Sequence, residues 1–118
     1  MKSPEAVAAL AALAHESRLA VFRMLVEAGP EGLPAGVIAT RLKVPPSSLT
    51  FHLQNLQRAG LIGQQRVSRQ LIYSTDFEAM NGLVSYLTEN CCAQSPSAEA
   101  CCAPVAKPAS TRKARRTA

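Results

Sequence analysis

The chain has 118 residues, a net charge of +5 and four cysteines. That length supports one modest hydrophobic core and is too short for a two-domain enzyme. It holds no apolar run of about eighteen residues, so no membrane span is expected. An apolar stretch at Ala6–Ala14 follows Lys2, as in a secretory leader. Glu5 stands where such a leader needs positive charge, and the stretch runs on into a structured segment. A cytoplasmic location is expected.

The charge is segregated. From Gly32 to Thr75 the charged residues are Arg41, Lys43, Arg58, Arg66 and Arg69, with no carboxylate among them. From Asp76 to Ala100 the charges are Asp76, Glu78, Glu89 and Glu99, with no Lys or Arg. An acid-free middle third suits a surface that approaches phosphates, because a carboxylate there would repel the nucleic-acid backbone. An ordinary solvated surface is the competing reading on charge alone.

Ser3, Pro4 and Glu5 read as N-cap, N1 proline and first-turn acid of a helix reaching about Ala14. It is apolar around most of its circumference, which predicts burial on two sides, one of them against a second subunit. A second helix is expected from Ser17 to Ala28, with Leu19, Phe22, Leu25 and Val26 inward, closed by Gly29-Pro30. A third runs from Ala35 to Leu42 with Val37, Ile38 and Leu42 inward. Val44-Pro45-Pro46 turns the chain into a fourth helix that ends at Ala59-Gly60. Two short helices about a tight turn predict a helix-turn-helix.

On the fourth helix, at about 100° per residue, Leu49, Leu53 and Leu56 share one side. Ser47, Phe51, Gln54 and Arg58 share the opposite side, Ser48 and Asn55 flank them, and His52 lies between the two sides. This outward face is uncharged until its last turn and rich in short donors and acceptors. Such a face can reach base edges without carrying negative charge into a groove. The candidate DNA-binding residues are Ser47, Ser48, Thr50, Phe51, His52, Gln54, Asn55 and Arg58. A polar, merely solvated face is the alternative.

Leu61–Val67 and Gln70–Thr75 read as two strands about Ser68-Arg69, with Arg66 and Arg69 near the tip. A basic hairpin after a helix-turn-helix is a wing that can lie on the phosphate backbone, so Arg66 and Arg69 join the DNA-binding set. Thr75 and Glu78 form a capping box that opens a last helix, with Phe77, Met80, Leu83, Val84 and Leu87 inward and Cys91 extending that stripe. The fold class is therefore mainly α with a β-hairpin wing. It is a winged helix-turn-helix of four helices, two strands and a fifth helix, occupying residues 1–92. The first and last helices carry more apolar surface than one small domain covers, so a homodimer is expected. Residues 93–118 lack Leu, Ile, Phe and Tyr and read as a flexible Ala/Pro/basic tail. Nothing in the chain has the spacing of a catalytic constellation, so it is not read as an enzyme.

Leu13–Leu19, Ser47–Leu61 and Arg69–Asp76 resemble the corresponding segments of the ArsR/SmtB family of metalloregulatory repressors. Leu87–Cys92 resembles the ending of those arsenic-responsive members whose sensor cysteines follow the last helix. The resemblance spans about residues 6–92 and implies a dimeric repressor that binds double-stranded operator DNA. Many family sensors carry a Cys-Val-Cys box in the third helix, whereas Leu33–Arg41 has neither cysteine nor histidine. The family's Asp/His zinc site is not supported, because no histidine follows His52. What remains as a metal site is Cys91, Cys92, Cys101 and Cys102.

Thiolates are soft donors. Trivalent arsenic takes three in a pyramid, and methylarsenite takes two. As(III) is the expected inducer, with Cys91 and Cys92 supplying two sulfurs and the tail a third. Adjacent cysteines close only a strained ring, so neither pair is expected to bridge internally, and a reduced state is the default without a secretory signal. Zinc or another soft metal, redox sensing, or a metal-trafficking or thiol-buffering protein remain alternatives. His15 and His52 are read as structural or phosphate-contacting rather than as ligands.

Overall fold

The computed structural model describes residues 1–95. It divides into two compact units, Met1–Leu87 and a second beginning at Thr88.

Helix α1 spans Ser3–Leu13 with Lys2 as its N-cap, one residue earlier than the sequence predicts. Glu5, at the third helical position, reaches back so that its Oε1 accepts the Lys2 N–H at 2.7 Å. That bond replaces a serine cap, and Pro4 sits harmlessly in the first turn, where no N–H is required. Ala6, Ala9 and Ala12 form the buried face, where small side chains permit close approach of the backbones. Val7 and Leu10 on the other faces are exposed, Val7 to 61%.

Helix α2 spans Glu16–Ala28 and is capped by His15, whose Nδ1 accepts the Ser17 N–H at 3.1 Å. Val21, Phe22 and Leu25 are buried, but Leu19 is 45% exposed. The inner stripe is thus rotated from the predicted one, because the partner elements lie to the Val21 side. Gly29 ends the helix at φ 84.

Strand β1, Leu33–Pro34, is absent from the sequence-based expectation. It pairs antiparallel with β3 (Leu33 with Tyr73, Pro34 with Ile72). Proline is tolerated there because β1 is an edge strand. Helix α3 spans Ala35–Leu42 with Ile38 fully buried. Helix α4 spans Pro46–Arg58 with Leu49, His52, Leu53 and Leu56 buried. Its end is a Schellman motif, in which Gly60 N–H donates to Gln57 O and Leu61 N–H to Leu56 O, with Gly60 at φ 82.

Strands β2 (Ile62–Val67) and β3 (Gln70–Thr75) pair from Ile62 with Thr75 to Val67 with Gln70. Ser68 at the turn takes φ 58, the left-handed conformation that a glycine would otherwise supply. The sheet order is β1-β3-β2. Helix α5 spans Phe77–Thr88. Its N-terminus is capped by Asp76, whose Oδ1 accepts the Ala79 N–H at 3.1 Å, and not by Thr75, whose buried Oγ1 has no partner among the described residues. Leu83 is buried, while Val84 and Leu87 are exposed. The architecture is a mainly α winged helix-turn-helix in which β2 and β3 form the wing. No helix among the described residues is long and apolar enough to cross a membrane.

In the second unit, residues 88–95 form successive turns. Cys91, Ala93 and Ser95 donate their N–H groups to Thr88, Asn90 and Cys92 carbonyls, and Asn90 and Cys92 both have φ near 60. Cys91 therefore follows the helix rather than extending its stripe, because the helix ends at Thr88.

Candidate nucleic-acid interface

The outward face of α4 is set by its inner one. Leu49, Leu53 and Leu56 bury against α2 and the sheet, and helical periodicity turns Ser47, Phe51, Gln54 and Arg58 to the opposite side, where all four are exposed. Ser48 and Thr50 are exposed and Asn55 is half-buried. Two of these polar groups are partly engaged within the helix. Thr50 Oγ1 donates to Pro46 O at 3.0 Å, and Asn55 Nδ2 donates to Phe51 O at 2.9 Å. Ser47, Ser48 and Gln54 are exposed at the start and middle of the face.

His52 does not belong to this face, and that expectation is corrected. Three residues after Leu49 and four before Leu56, it turns inward and is buried. Its Nδ1 faces Arg18 Nε of α2 at 3.4 Å, a long, weak hydrogen bond donated by the guanidinium. Its ring centroid lies 4.7 Å from that of His15. Burial, then the neighbouring His15 and Arg18, push the His52 pKa below its ordinary value of 6.5. An unprotonated Nδ1 is also what the Arg18 bond requires.

Arg18, inside the Leu13–Leu19 segment, is not among the DNA-binding candidates drawn from the sequence. It is half-buried, and its guanidinium carbon lies 5.8 Å from the centroid of the Phe51 ring. With Asn55 and Arg58 it lines a small groove of about 240 Å³ between α1 and α4. Arg58 also lines a second groove together with Glu5, Asp76 and Glu78.

On the wing, Arg66 and Arg69 are exposed on either side of Val67 and Ser68. The structure adds Arg41. One face of α3, from Ala35 to Arg41, and the start of β3 line a groove of about 750 Å³ that includes Thr40, Arg41, Arg69 and Gln70, with no carboxylate in its wall. The acid-free stretch of sequence thus covers both α3 and the wing.

The Sγ atoms of Cys91 and Cys92 are 3.6 Å apart. Cys91 is exposed and outside any disulfide. Cys92 is disulfide-bonded, which departs from the reduced state expected of it. A separation of 3.6 Å is too long for a bond between the two neighbours, as the strain of the ring demands. Among the described residues no three His, Cys, Asp or Glu side chains converge on a common point. Cys101 and Cys102 lie outside the described residues.

Comparison with known proteins gives these features a context. A family model for a helix-turn-helix domain matches residues 13–65. The HTH-type transcriptional regulator YgaV of Escherichia coli K12 is 32% identical over 88 residues, 75% of this chain and 87% of the relative. The structure of HlyU from Vibrio cholerae, a protein described as a transcriptional activator, superposes with a TM-score of 0.59 at 32% identity, covering 72% of this chain and 92% of that one. An ArsR-like transcriptional regulator from Rhodococcus sp. RHA1 superposes with a TM-score of 0.65 at 28% identity, covering 77% and 82%. The helix-turn-helix, the wing and the acid-free surface they share here are those of a DNA-binding transcriptional regulator rather than an enzyme, and the chain belongs to the ArsR family.

Proposed function

We propose that the protein is an arsenic-responsive repressor of the cytoplasm. It binds a pseudo-palindromic operator as a homodimer and leaves it when As(III), as arsenite or methylarsenite, is held by thiolates after α5. The observation that carries the sensing half is the placement of Cys91 and Cys92. Two bonds of about 2.3 Å to one soft ion hold their sulfurs roughly 3.3–3.8 Å apart. The 3.6 Å separation lies in that window. Softness favours a thiophilic ion, and Cys101 or Cys102 is the proposed third donor for arsenite. Cys92 must first be released from its disulfide.

The DNA-binding half rests on α4. In each protomer it enters the major groove, with Ser47, Ser48, Gln54 and Asn55 toward base edges and phosphates. Arg66 and Arg69 of the wing meet the flanking backbone, and Arg41 and Arg58 add charge. The dimer rests on Val7, Leu10, Val84 and Leu87, which leave the α1 and α5 faces apolar and exposed. For release, the metalloid must bind the DNA-incompetent arrangement more tightly, with coupling of about 1–3 kcal/mol.

A second reading, redox control, is favoured by the disulfide at Cys92. Thiol–disulfide exchange would then replace metalloid ligation as the switch. One experiment separates the two: operator binding by the fully reduced chain, titrated with arsenite, methylarsenite or an oxidant. Arsenic sensing predicts release by the arsenicals under reducing conditions, and repression without release in Cys91→Ser and Cys92→Ser. Release by oxidant alone would replace the arsenic reading with the redox one.

A further inference from the structure

We propose that Phe51, positioned by Arg18, reads the C5-methyl group of a thymine in the major groove and so sets part of the operator sequence. The inference rests on the reading above, in which α4 occupies that groove.

Phe51 is 58% exposed in the middle of a face that is otherwise polar. It shares that face with Ser47, four residues before it, and Gln54, three after it. The apolar faces of α1 and α5 lie on other helices, so they do not explain a bare phenyl ring here. Nor is the ring loosely held. The Arg18 guanidinium carbon stands 5.8 Å from its centroid and the His52 ring 5.9 Å away, tilted at 59°. Arg18 is itself held by His52 Nδ1. The phenyl ring is therefore contacted by Arg18 of α2 and by the buried histidine, while more than half of the residue stays exposed.

A duplex offers such a ring little choice. In the major groove the bases present edges, not faces, and the thymine methyl is the apolar group among them. Against cytosine, the same ring would strip water from an amino group and return no hydrogen bond. Insertion of an aromatic wedge between base pairs is a minor-groove device, which a helix lying in the major groove does not reach.

Register follows from helix geometry. Phe51 and Gln54 are three residues apart, a rise of about 4.5 Å, against about 3.4 Å per base step. If the Gln54 amide takes an adenine, Phe51 meets a thymine about one base pair away. Arg18, with Asn55 and Arg58 in a groove whose wall carries no carboxylate, adds positive charge beside the ring and toward the flanking phosphates.

The test uses the full-length, reduced chain and a duplex selected by it from a randomised pool. Each thymine is replaced in turn by uracil, which removes only the methyl. One thymine per half-site should lose roughly fourfold in affinity on replacement, the factor for burial of a single methyl group. Phe51→Ala should bring that thymine-to-uracil ratio to about one, while Phe51→Leu, still apolar, should keep it. Arg18→Ala should lower the ratio, and Arg18→Lys, which retains a cation over the ring, should restore part of it. A selected operator with no methyl-sensitive thymine, or a ratio that survives Phe51→Ala, overturns the assignment of Phe51 alone. A pool that yields no preferred sequence overturns the major-groove reading and this inference with it.

Discussion

Gly32 leads into β1, one of the elements that tie the wing to the rest of the fold, and Gly32→Ala measures how much that tie contributes. Gly32 has φ 72, and a Cβ there would fall inside the contact distance of Tyr73 O, 2.9 Å from Tyr73 C and 3.0 Å from Ser74 Cβ. The first two obstacles are backbone atoms of β3, which cannot rotate away, so β1 must lift from β3. Gly60 is the control, with φ 82 but nothing within 4 Å of a built Cβ. Both substitutions force an L-residue into the left-handed region, at about 1–2 kcal/mol, partly offset by about 0.4–1 kcal/mol from a stiffer unfolded chain. Gly60→Ala should therefore cost about 1 kcal/mol. Gly32→Ala adds the weakened β1–β3 pairing at about 1 kcal/mol per hydrogen bond and disturbed packing around Tyr73, giving about 3 kcal/mol. Urea denaturation at one fixed protein concentration reads both, since a dimer's stability depends on concentration. Equal losses from the two substitutions would refute the steric argument and leave only the backbone conformation as the cause.

Other expectations follow from the same geometry. Gln54→Ala should cost about 1–3 kcal/mol on the preferred operator and little on random duplex. Arg66→Ala or Arg69→Ala should weaken binding to every sequence and reduce the slope of affinity against salt by about one; uniform losses from all three would show that α4 does not read bases. His52 is held below its ordinary pKa of 6.5 by burial, His15 and Arg18, so just below that value the unfolded chain binds more protons than the folded one. Its stabilising effect is complete above 6.5 and declines as the pH falls toward the lowered folded value. Thermal melts from about pH 8 to about pH 5 should thus show an acid-side loss that His52→Gln diminishes; an unchanged pH profile would remove His52 as the cause. Finally, Val7→Glu or Leu87→Glu should convert the proposed dimer to monomer in sedimentation experiments, because each puts a carboxylate on an apolar face that is 61% or 57% exposed at that residue in the single chain. Dimers that persist in both variants would place the interface elsewhere.

Periodicity and chain punctuation determined most of this fold. The 3.6-residue spacing of Leu49, Leu53 and Leu56 orients α4, and with it the outward set from Ser47 to Arg58. Gly29, Pro45-Pro46 and Gly60 mark ends that the structure keeps to within a residue or two. These are local signals, carried by neighbours on one helix or one turn. The features that sequence reasoning missed depend on residues far apart in the chain. A helical wheel places Leu19 and Val21 relative to the α2 axis but does not say on which side the rest of the fold lies, and it is Val21 that becomes buried. β1 is two residues long and exists because β3, nearly forty residues later, offers it an edge. Arg18 joins the α4 surface, and His52 leaves it, through a contact between helices 34 residues apart. The cap of α5 shows the principle at its smallest. Thr75 and Asp76 both suit an N-cap, but pairing with Ile62 draws Thr75 into the sheet and buries its hydroxyl. The cap then falls to Asp76, because a residue held in a ladder cannot also turn its side chain to the helix that follows.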